Sequence, residues 1–243
     1  KRATLVAQAV VLIEYTKKGP DGACKQYYGT GNIFCNCSTW EGTEVDNEEQ
    51  PSEFLLLTCN HCLPSPETAQ SCKITLDYHG ENKSPDSASQ LKLDPGIFFA
   101  TNEELDYTLC YICATSAEVE CLSKRFSFHF NRIPNYVEKY SHINIASYPR
   151  GGPIAYSVRG AKLLVEHNDN LGEKVLISKL DEVMKHTAYT LPGSSGALLC
   201  NDKWEPIGLH MEGTLYEENG KPMKRSKDGA LSVYNEEAGD DPE

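Results

Sequence analysis

Short apolar segments separated by turn-forming residues run through the whole chain and most constrain its fold. The segments are rich in β-branched and aromatic residues, and Gly, Pro, Asn and Asp lie between them. No long stretch keeps the 3.6-residue spacing of an amphipathic helix. The pattern therefore predicts an all-β protein, with strands at 10–16, 27–34, 54–58, 71–78, 97–100, 108–113, 136–148, 154–166, 173–178, 197–201 and 205–210, and one more within 227–234.

The predicted strands fall into two groups of similar size. Residues 1–120 form the first group, 136–235 form the second, and 121–135 join them; the acid-rich end, 236–243, follows as a tail. Two small antiparallel barrels packed side by side leave a cleft that a substrate can enter. We therefore expect two packed β-barrels with a functional site between them.

Charge and hydropathy limit the partners. The net charge is −12 and the pI is about 5.1, so the basic stripe that nucleic acid binding needs is missing. No apolar run approaches the roughly 18 residues of a membrane span. The basic and apolar start of the chain has no small-residue cleavage site, so we expect an excised domain or a mature form rather than a signal peptide. The oligomeric state stays open.

Ten cysteines leave two redox states to consider. Cys110, Cys113 and Cys200 lie in predicted strands, where a free thiol behaves as a small apolar side chain. This placement favours an intracellular protein with free thiols over a secreted protein with disulfides.

Three polar residues suggest nucleophilic catalysis. Ser195 lies between Gly193 and Gly196, but a serine hydroxyl needs a base, an orienting group and oxyanion donors before it reacts. His61 ends an apolar strand in the first half, and Asp106 begins an alternating one. A carboxylate on one imidazole nitrogen leaves the other to take the serine proton, so these residues form a candidate triad.

The motifs around these residues resemble those of the chymotrypsin-like serine peptidases. Residues 58–62, Thr-Cys-Asn-His-Cys, are similar to the family's Thr-Ala-Ala-His-Cys, and 106–109 and 193–196 resemble its Asp-Ile-Ala-Leu and Gly-Asp-Ser-Gly. The resemblance implies a double β-barrel endopeptidase that cleaves protein or peptide substrates through an acyl-enzyme, without metal or organic cofactor. It also implies an oxyanion hole made by the backbone amides of Gly193 and Ser195.

Two positions depart from the secreted members of that family. Ser194 stands where those members carry the aspartate that pairs with a newly cut N-terminus, and Leu191 replaces a cysteine beside the specificity pocket. The resemblance is therefore closer to the intracellular, viral and bacterial glutamyl-endopeptidase branches. Activation by that ion pair is not expected.

Those branches also imply a substrate preference. In them, Thr or Ser five residues before the nucleophile and a His on the following strand bind a Glu or Gln side chain; the matching residues are Thr190 and His210. A neutral donor pair suits Gln, and a protonated imidazole suits Glu. An apolar preference, or attraction of Lys or Arg by Glu212, stays open. The strand 210–213, which includes Met211 and Gly213, should pair with the substrate backbone.

Two alternatives remain. Cys35, Cys37, Cys59 and Cys62 have spacings that occur in zinc sites, although Cys59 and Cys62 flank His61, so joint coordination would distort it. The chain could also be a catalytically silent module that binds protein partners through the cleft. The presence of all three triad residues favours the enzyme.

Overall fold

The computed structural model describes residues 2–18, 22–35, 53–80, 90–130, 133–164, 174–176, 184–212, 216–218, 221–225 and 231–233. The predicted acidic tail and Gly213 lie outside these ranges. No helix within them is long and apolar enough to span a membrane.

Seven strands of the N-terminal half build the first barrel and its flank. They are β1 (Val10–Lys18), β2 (Cys24–Cys35), β3 (Phe54–Thr58), β4 (Lys73–Thr75), β5 (Gln90–Leu93), β6 (Phe99–Asn102) and β7 (Tyr107–Cys113). Six of them follow the order β1-β4-β5-β7-β3-β2, and β2 pairs with β1 again, which closes the barrel. Strand β6 pairs with β7.

Alternation of side chains gives this barrel its core. In β3, Phe54 and Leu56 are buried while Leu55 and Leu57 are half-buried, as the two-residue period of a strand requires. At Gly31 on β2, a Cβ atom would lie 2.7 Å from Leu56 Cδ1 and 2.9 Å from Ile13 Cδ1. The apolar side chains of neighbouring strands therefore fill the barrel up to the β2 backbone.

The C-terminal half contains a curled half-barrel sheet and several short strands outside that sheet. Its strands are β8 (Phe128–His129), β9 (Tyr136–Glu138), β10 (His142–Ser147), β11 (Ala155–Leu164), β12 (Lys174–Leu176), β13 (Lys185–His186), β14 (Leu198–Cys200), β15 (Pro206–Leu209), β16 (Tyr216–Glu218), β17 (Lys221–Arg225) and β18 (Leu231–Val233). The main sheet has the order β13-β11-β10-β14-β15; β9 pairs with β12, β16–β18 form a separate sheet, and β8 pairs with β2 of the first barrel. The all-β, two-barrel prediction is confirmed.

The described residues include three short α-helices that the sequence pattern did not predict, and several strands have other bounds than predicted. The helices are α1 (Arg2–Val6), α2 (Pro66–Ser71) and α3 (Ser116–Ser123). Ser65 caps α2, and a Thr115–Glu118 capping box starts α3. The strand predicted at 71–78 shrinks to β4 because α2 ends at Ser71. The strand predicted at 136–148 is split into β9 and β10, with Tyr140 at a φ of 57° between them.

Candidate active site

His61 and Asp106 form a two-point contact at the edge of the first barrel. Asp106 Oδ2 lies 2.7 Å from His61 Nδ1, and Oδ1 accepts a 2.9 Å hydrogen bond from the His61 backbone N–H. Because an ionised carboxylate only accepts, Nδ1 carries a proton, and in the neutral ring Nε2 therefore keeps a free lone pair. The imidazole is thus oriented and in the tautomer that a general base needs.

The fold positions both residues through turns. Asp106 sits just before β7 with a φ of 46°, a left-handed conformation that Asp adopts more readily than most residues. His61 lies in the turn after β3, where Leu63 N–H donates to the Cys59 carbonyl at 3.2 Å. Thr108 on β7 anchors that turn by donating from Oγ1 to the Leu63 carbonyl at 2.9 Å.

The surroundings of His61 favour its charged form. Burial of the ring disfavours the imidazolium, but Cys62 and the Asp106 carboxylate outweigh this effect and raise the pKa of His61 to about 9. The ring is 40% exposed and therefore reachable from the cleft. It is a basic group with direct solvent contact.

The loop of Ser195 is held by Thr30, which lies on β2 of the first barrel. The Thr30 N–H donates to the Ser195 carbonyl at 2.8 Å, and Thr30 Oγ1 donates to the Gly193 carbonyl at 2.8 Å. The same Oγ1 accepts from the Tyr148 N–H at 3.0 Å. The buried residue Thr30 therefore joins the barrel to the loop on both sides of Ser194, through its hydroxyl at Gly193 and through its backbone N–H at Ser195.

Glycine is required at both ends of this loop. Gly193 has a φ of +94° and Gly196 one of +88°, which disfavour any side chain. A Cβ at Gly193 would lie 2.7 Å from the Tyr148 carbonyl oxygen, and one at Gly196 would collide with the Thr30 carbonyl. The Gly196 carbonyl also accepts a 2.6 Å hydrogen bond from Asn32 Nδ2 on β2.

The peptide between Pro192 and Gly193 is held by a hydrogen bond to its carbonyl. The Pro192 carbonyl accepts from the Arg150 N–H on one side of the loop. Because C=O and N–H point opposite ways across a trans peptide, the Gly193 N–H faces the other side. Within the described part of the chain, neither the Gly193 N–H nor the Ser195 N–H donates to another residue. Both amides are therefore open to a ligand.

Ser194 replaces an acidic residue without leaving a buried charge. Its side chain is fully buried, 3.1 Å from Ser147 Oγ, and accepts a 3.3 Å hydrogen bond from the Leu191 N–H. Its own N–H donates to the Leu191 carbonyl at 2.9 Å. The loop is thus closed by internal neutral hydrogen bonds.

The described contacts join His61 to Asp106 but do not join either side chain to Ser195. Among them no hydrogen bond joins Ser195 Oγ to His61, although the Ser195 backbone is fixed beside the turn that carries the imidazole. Such bonds are often long in an empty site and shorten when substrate binds. The contact of His61 with Asp106 is present, and the role of Ser195 as the nucleophile stays a prediction.

His210 has a partner that the sequence did not indicate. His186 Nε2 lies 3.0 Å from His210 Nδ1, and the Ala188 N–H donates to His186 Nδ1 at 3.1 Å. His186 therefore carries its proton on Nε2 and donates it to His210, whose own proton must then lie on Nε2. Burial, with the nearby His186 and His61, lowers the pKa of His210 to about 4, and burial lowers that of His186.

The other predicted pocket residues are less closely connected. Thr190 is half-buried, and no hydrogen bond joins it to His210 in the described structure. Met211 is half-buried and Glu212 is exposed, while Gly213 lies outside the described residues. The His210 backbone bonds to the C-terminal end of the loop that carries Ser195: its N–H donates to the Ala197 carbonyl, and its carbonyl accepts from the Gly196 N–H, each at 2.8 Å.

The four-cysteine zinc site predicted as an alternative does not assemble. Cys35 is disulfide-bonded and Cys37 lies outside the described residues, so Cys35 offers no thiolate. Cys59 and Cys62 are buried free thiols. A different set can approach a metal, because single ligand atoms of Cys59, His61 and Asp106 lie within 4.8 Å of one another.

Several residues of the site escaped the sequence analysis. Thr30, Asn32 and His186 act through contacts between distant segments. Thr30 and Asn32 lie in a predicted strand with no further signal, and His186 lies between two predicted strands. Arg150 has a weak sequence signal, because the two glycines that follow it predict a turn. In the structure its φ is 54°, and its N–H donates to the Pro192 carbonyl.

Comparisons with known proteins agree with this geometry. A family model described as the trypsin-like peptidase domain matches residues 29–209. The active form of the Rv3671c protease from M. tuberculosis is similar in structure, with a TM-score of 0.51 at 13% identity, over 98% of this chain and 80% of that one. An HtrA-type protease, AlgW with decapeptide, gives 0.52 at 14% identity, over 90% of this chain and 58% of that one. No curated protein sequence matches the chain. At these identities the two structures support the fold.

Replacing Thr30 by Val should destabilise the protein by about 2 to 4 kcal/mol, because the buried Gly193 carbonyl and Tyr148 N–H would each lose a partner. The matched control is Thr75→Val, since Thr75 is buried in the same barrel and its Oγ1 has no partner. Urea unfolding of the two variants tests this. Equal stability of both would contradict the role given to Thr30.

The His61 imidazole should titrate above the ordinary histidine pKa of about 6.5. NMR titration of its ring protons should give a midpoint raised toward about 9, so that the free base becomes populated only as the pH rises. Asp106→Asn should move the midpoint to lower pH because the attracting carboxylate is gone. Equal midpoints in the unaltered protein and in Asp106→Asn would show that Asp106 does not stabilise the imidazolium.

Proposed function

The chain belongs to the trypsin-like peptidase family, and from this premise we propose that it is a serine endopeptidase with Ser195, His61 and Asp106 as its triad. The observation that carries the proposal is the two-point contact of Asp106 with the ring and the backbone of His61, at 2.7 and 2.9 Å. That contact leaves Nε2 as the proton acceptor.

The reaction then follows from the groups present. Ser195 Oγ attacks the carbonyl carbon of the scissile peptide bond while His61 Nε2 takes the hydroxyl proton. The tetrahedral intermediate collapses as His61 returns that proton to the leaving amine, which gives an ester of Ser195. A water molecule, deprotonated by the same nitrogen, hydrolyses the ester and releases the acid product.

The oxyanion is stabilised by the N–H groups of Gly193 and Ser195. The bond from Arg150 to the Pro192 carbonyl supports this role, because it orients the peptide that carries the Gly193 N–H. The hydroxyl pair of Ser147 and Ser194 supports a loop that needs no ion pair with a cut N-terminus.

Of the two residues expected before the scissile bond, Glu and Gln, the environment of His210 favours Gln. His210 is neutral near pH 7, since its pKa is lowered to about 4 by burial and by its histidine neighbours. The hydrogen bond with His186 makes its Nε2–H a donor, which suits the side-chain oxygen of an amide. Binding a carboxylate would gain from an imidazolium, which this environment disfavours. Thr190 offers a second neutral donor.

The catalytically silent alternative predicts binding without turnover. A fluorophosphonate probe separates the two, because it reacts only with an activated serine. The probe should label the unaltered chain and the control Ser71→Ala, an exposed serine on α2, but not Ser195→Ala. Labelling that persists in Ser195→Ala rules out this nucleophile, and an unlabelled parent chain favours the silent module.

Specificity can be tested with a peptide library that varies the residue before the cleaved bond. We expect enrichment of Gln over Glu at pH 7.5, by about tenfold for each 1.4 kcal/mol of preference. His186→Ala should reduce the Gln:Glu ratio because the tautomer of His210 is no longer fixed. His142→Ala, an exposed histidine on β10, should leave the ratio unchanged. A library with neither residue enriched would show that Thr190 and His210 do not select the substrate.

A further inference from the structure

We propose that Cys59, His61 and Asp106 form an inhibitory binding site for zinc or a chemically similar divalent cation. Single ligand atoms from these three side chains lie within 4.8 Å of one another. Thiolate, imidazole and carboxylate are the three ligand types that Zn²⁺ prefers in proteins.

The geometry is close to what the ion requires. The usual zinc bonds to sulfur, nitrogen and oxygen place tetrahedral ligand atoms about 3.3 to 3.6 Å apart. His61 Nδ1 and Asp106 Oδ2 are 2.7 Å apart, so a metal between them needs only a modest separation of the two side chains. With three ligands from the protein, a tetrahedral zinc ion would take a water molecule as its fourth ligand.

Cys59 makes this chain different from the family motif. It occupies the position of the first alanine in the Thr-Ala-Ala-His-Cys sequence, and it is fully buried. Its Sγ donates to the His210 carbonyl at 3.3 Å. A thiol has thereby been placed beneath a His–Asp pair that otherwise offers only two ligands.

Metal binding at this site stops catalysis through the tautomer of His61. The ion displaces two protons, one from the thiol of Cys59 and one from Nδ1 of the charged His61 ring; both pass to solvent, and the ion bonds to the lone pair that Nδ1 then has. Neutral His61 then carries its proton on Nε2, which becomes a donor and can no longer accept the Ser195 proton. The Asp106 carboxylate is also withdrawn from its orienting role.

The metal site is tested by spectroscopy, which does not need the proposed peptidase activity. Co²⁺ added to the full chain should give thiolate-to-cobalt charge-transfer absorption, which Zn²⁺ displaces. Cys59→Ala should lose this band, whereas Cys62→Ala, with the other buried thiol beside His61, and Cys110→Ala, with a buried thiol in β7, should keep it. Absence of the band in the unaltered chain, or its loss in Cys62→Ala alone, overturns the assignment.

The inhibition rests on the proposed function and is measured separately. Zn²⁺ should inhibit fluorophosphonate labelling of Ser195, with each variant compared with its own metal-free rate. The Zn²⁺ concentration for half-inhibition should rise at least about tenfold in Cys59→Ala, a loss of about 1.4 kcal/mol in binding, and stay the same in Cys110→Ala. Equal sensitivity of Cys59→Ala and the parent overturns the inhibitory role. A cobalt band in an unaltered chain that the probe does not label supports the metal site and contradicts only the proposed peptidase activity.

Discussion

The buried threonine at position 30 is the contact on which the rest of the candidate site depends. Its backbone and its hydroxyl together bond to the Ser195 carbonyl, the Gly193 carbonyl and the Tyr148 N–H, and its own carbonyl accepts from Thr58 Oγ1 at 2.8 Å. Thr58 precedes the turn of His61. One strand of the closed barrel therefore sets the position of both the proposed base and the loop of the proposed nucleophile, so the distance between them does not depend on the packing of two separate cores alone.

Residues with positive φ occur at the candidate site. Among the described residues, five non-glycine residues have positive φ, and two of them, Asp106 and Arg150, serve the candidate site. Each conformation costs free energy that surrounding hydrogen bonds must offset. Asp106 is held by His61, and Arg150 by the Pro192 carbonyl. The strands of the barrels support these turns, and the turns allow side-chain and backbone orientations that a regular strand does not.

The two-barrel fold could be predicted, and the hypothesis of a triad of His61, Asp106 and Ser195 could be formed, because the signals for both are local. A strand that ends in His, an acid that begins one and a serine between glycines are all visible within a few residues. Thr30 and His186 could not be found this way, since their roles arise from pairing between segments far apart in the chain. Helix α3 was not predicted although its capping box is visible at Thr115 and Glu118, because its 8 residues are too few to show a sustained 3.6-residue period.

The hydroxyl pair behind the nucleophile has a consequence for how the site responds to its surroundings. Ser147 and Ser194 are neutral and buried, and neither side chain gains or loses a proton in the physiological range. An ion pair in the same place would weaken with acid and would carry a large desolvation cost. The order of this loop should therefore be indifferent to ionic strength and to moderate changes in acidity, leaving the histidines as the groups through which the medium acts on the site.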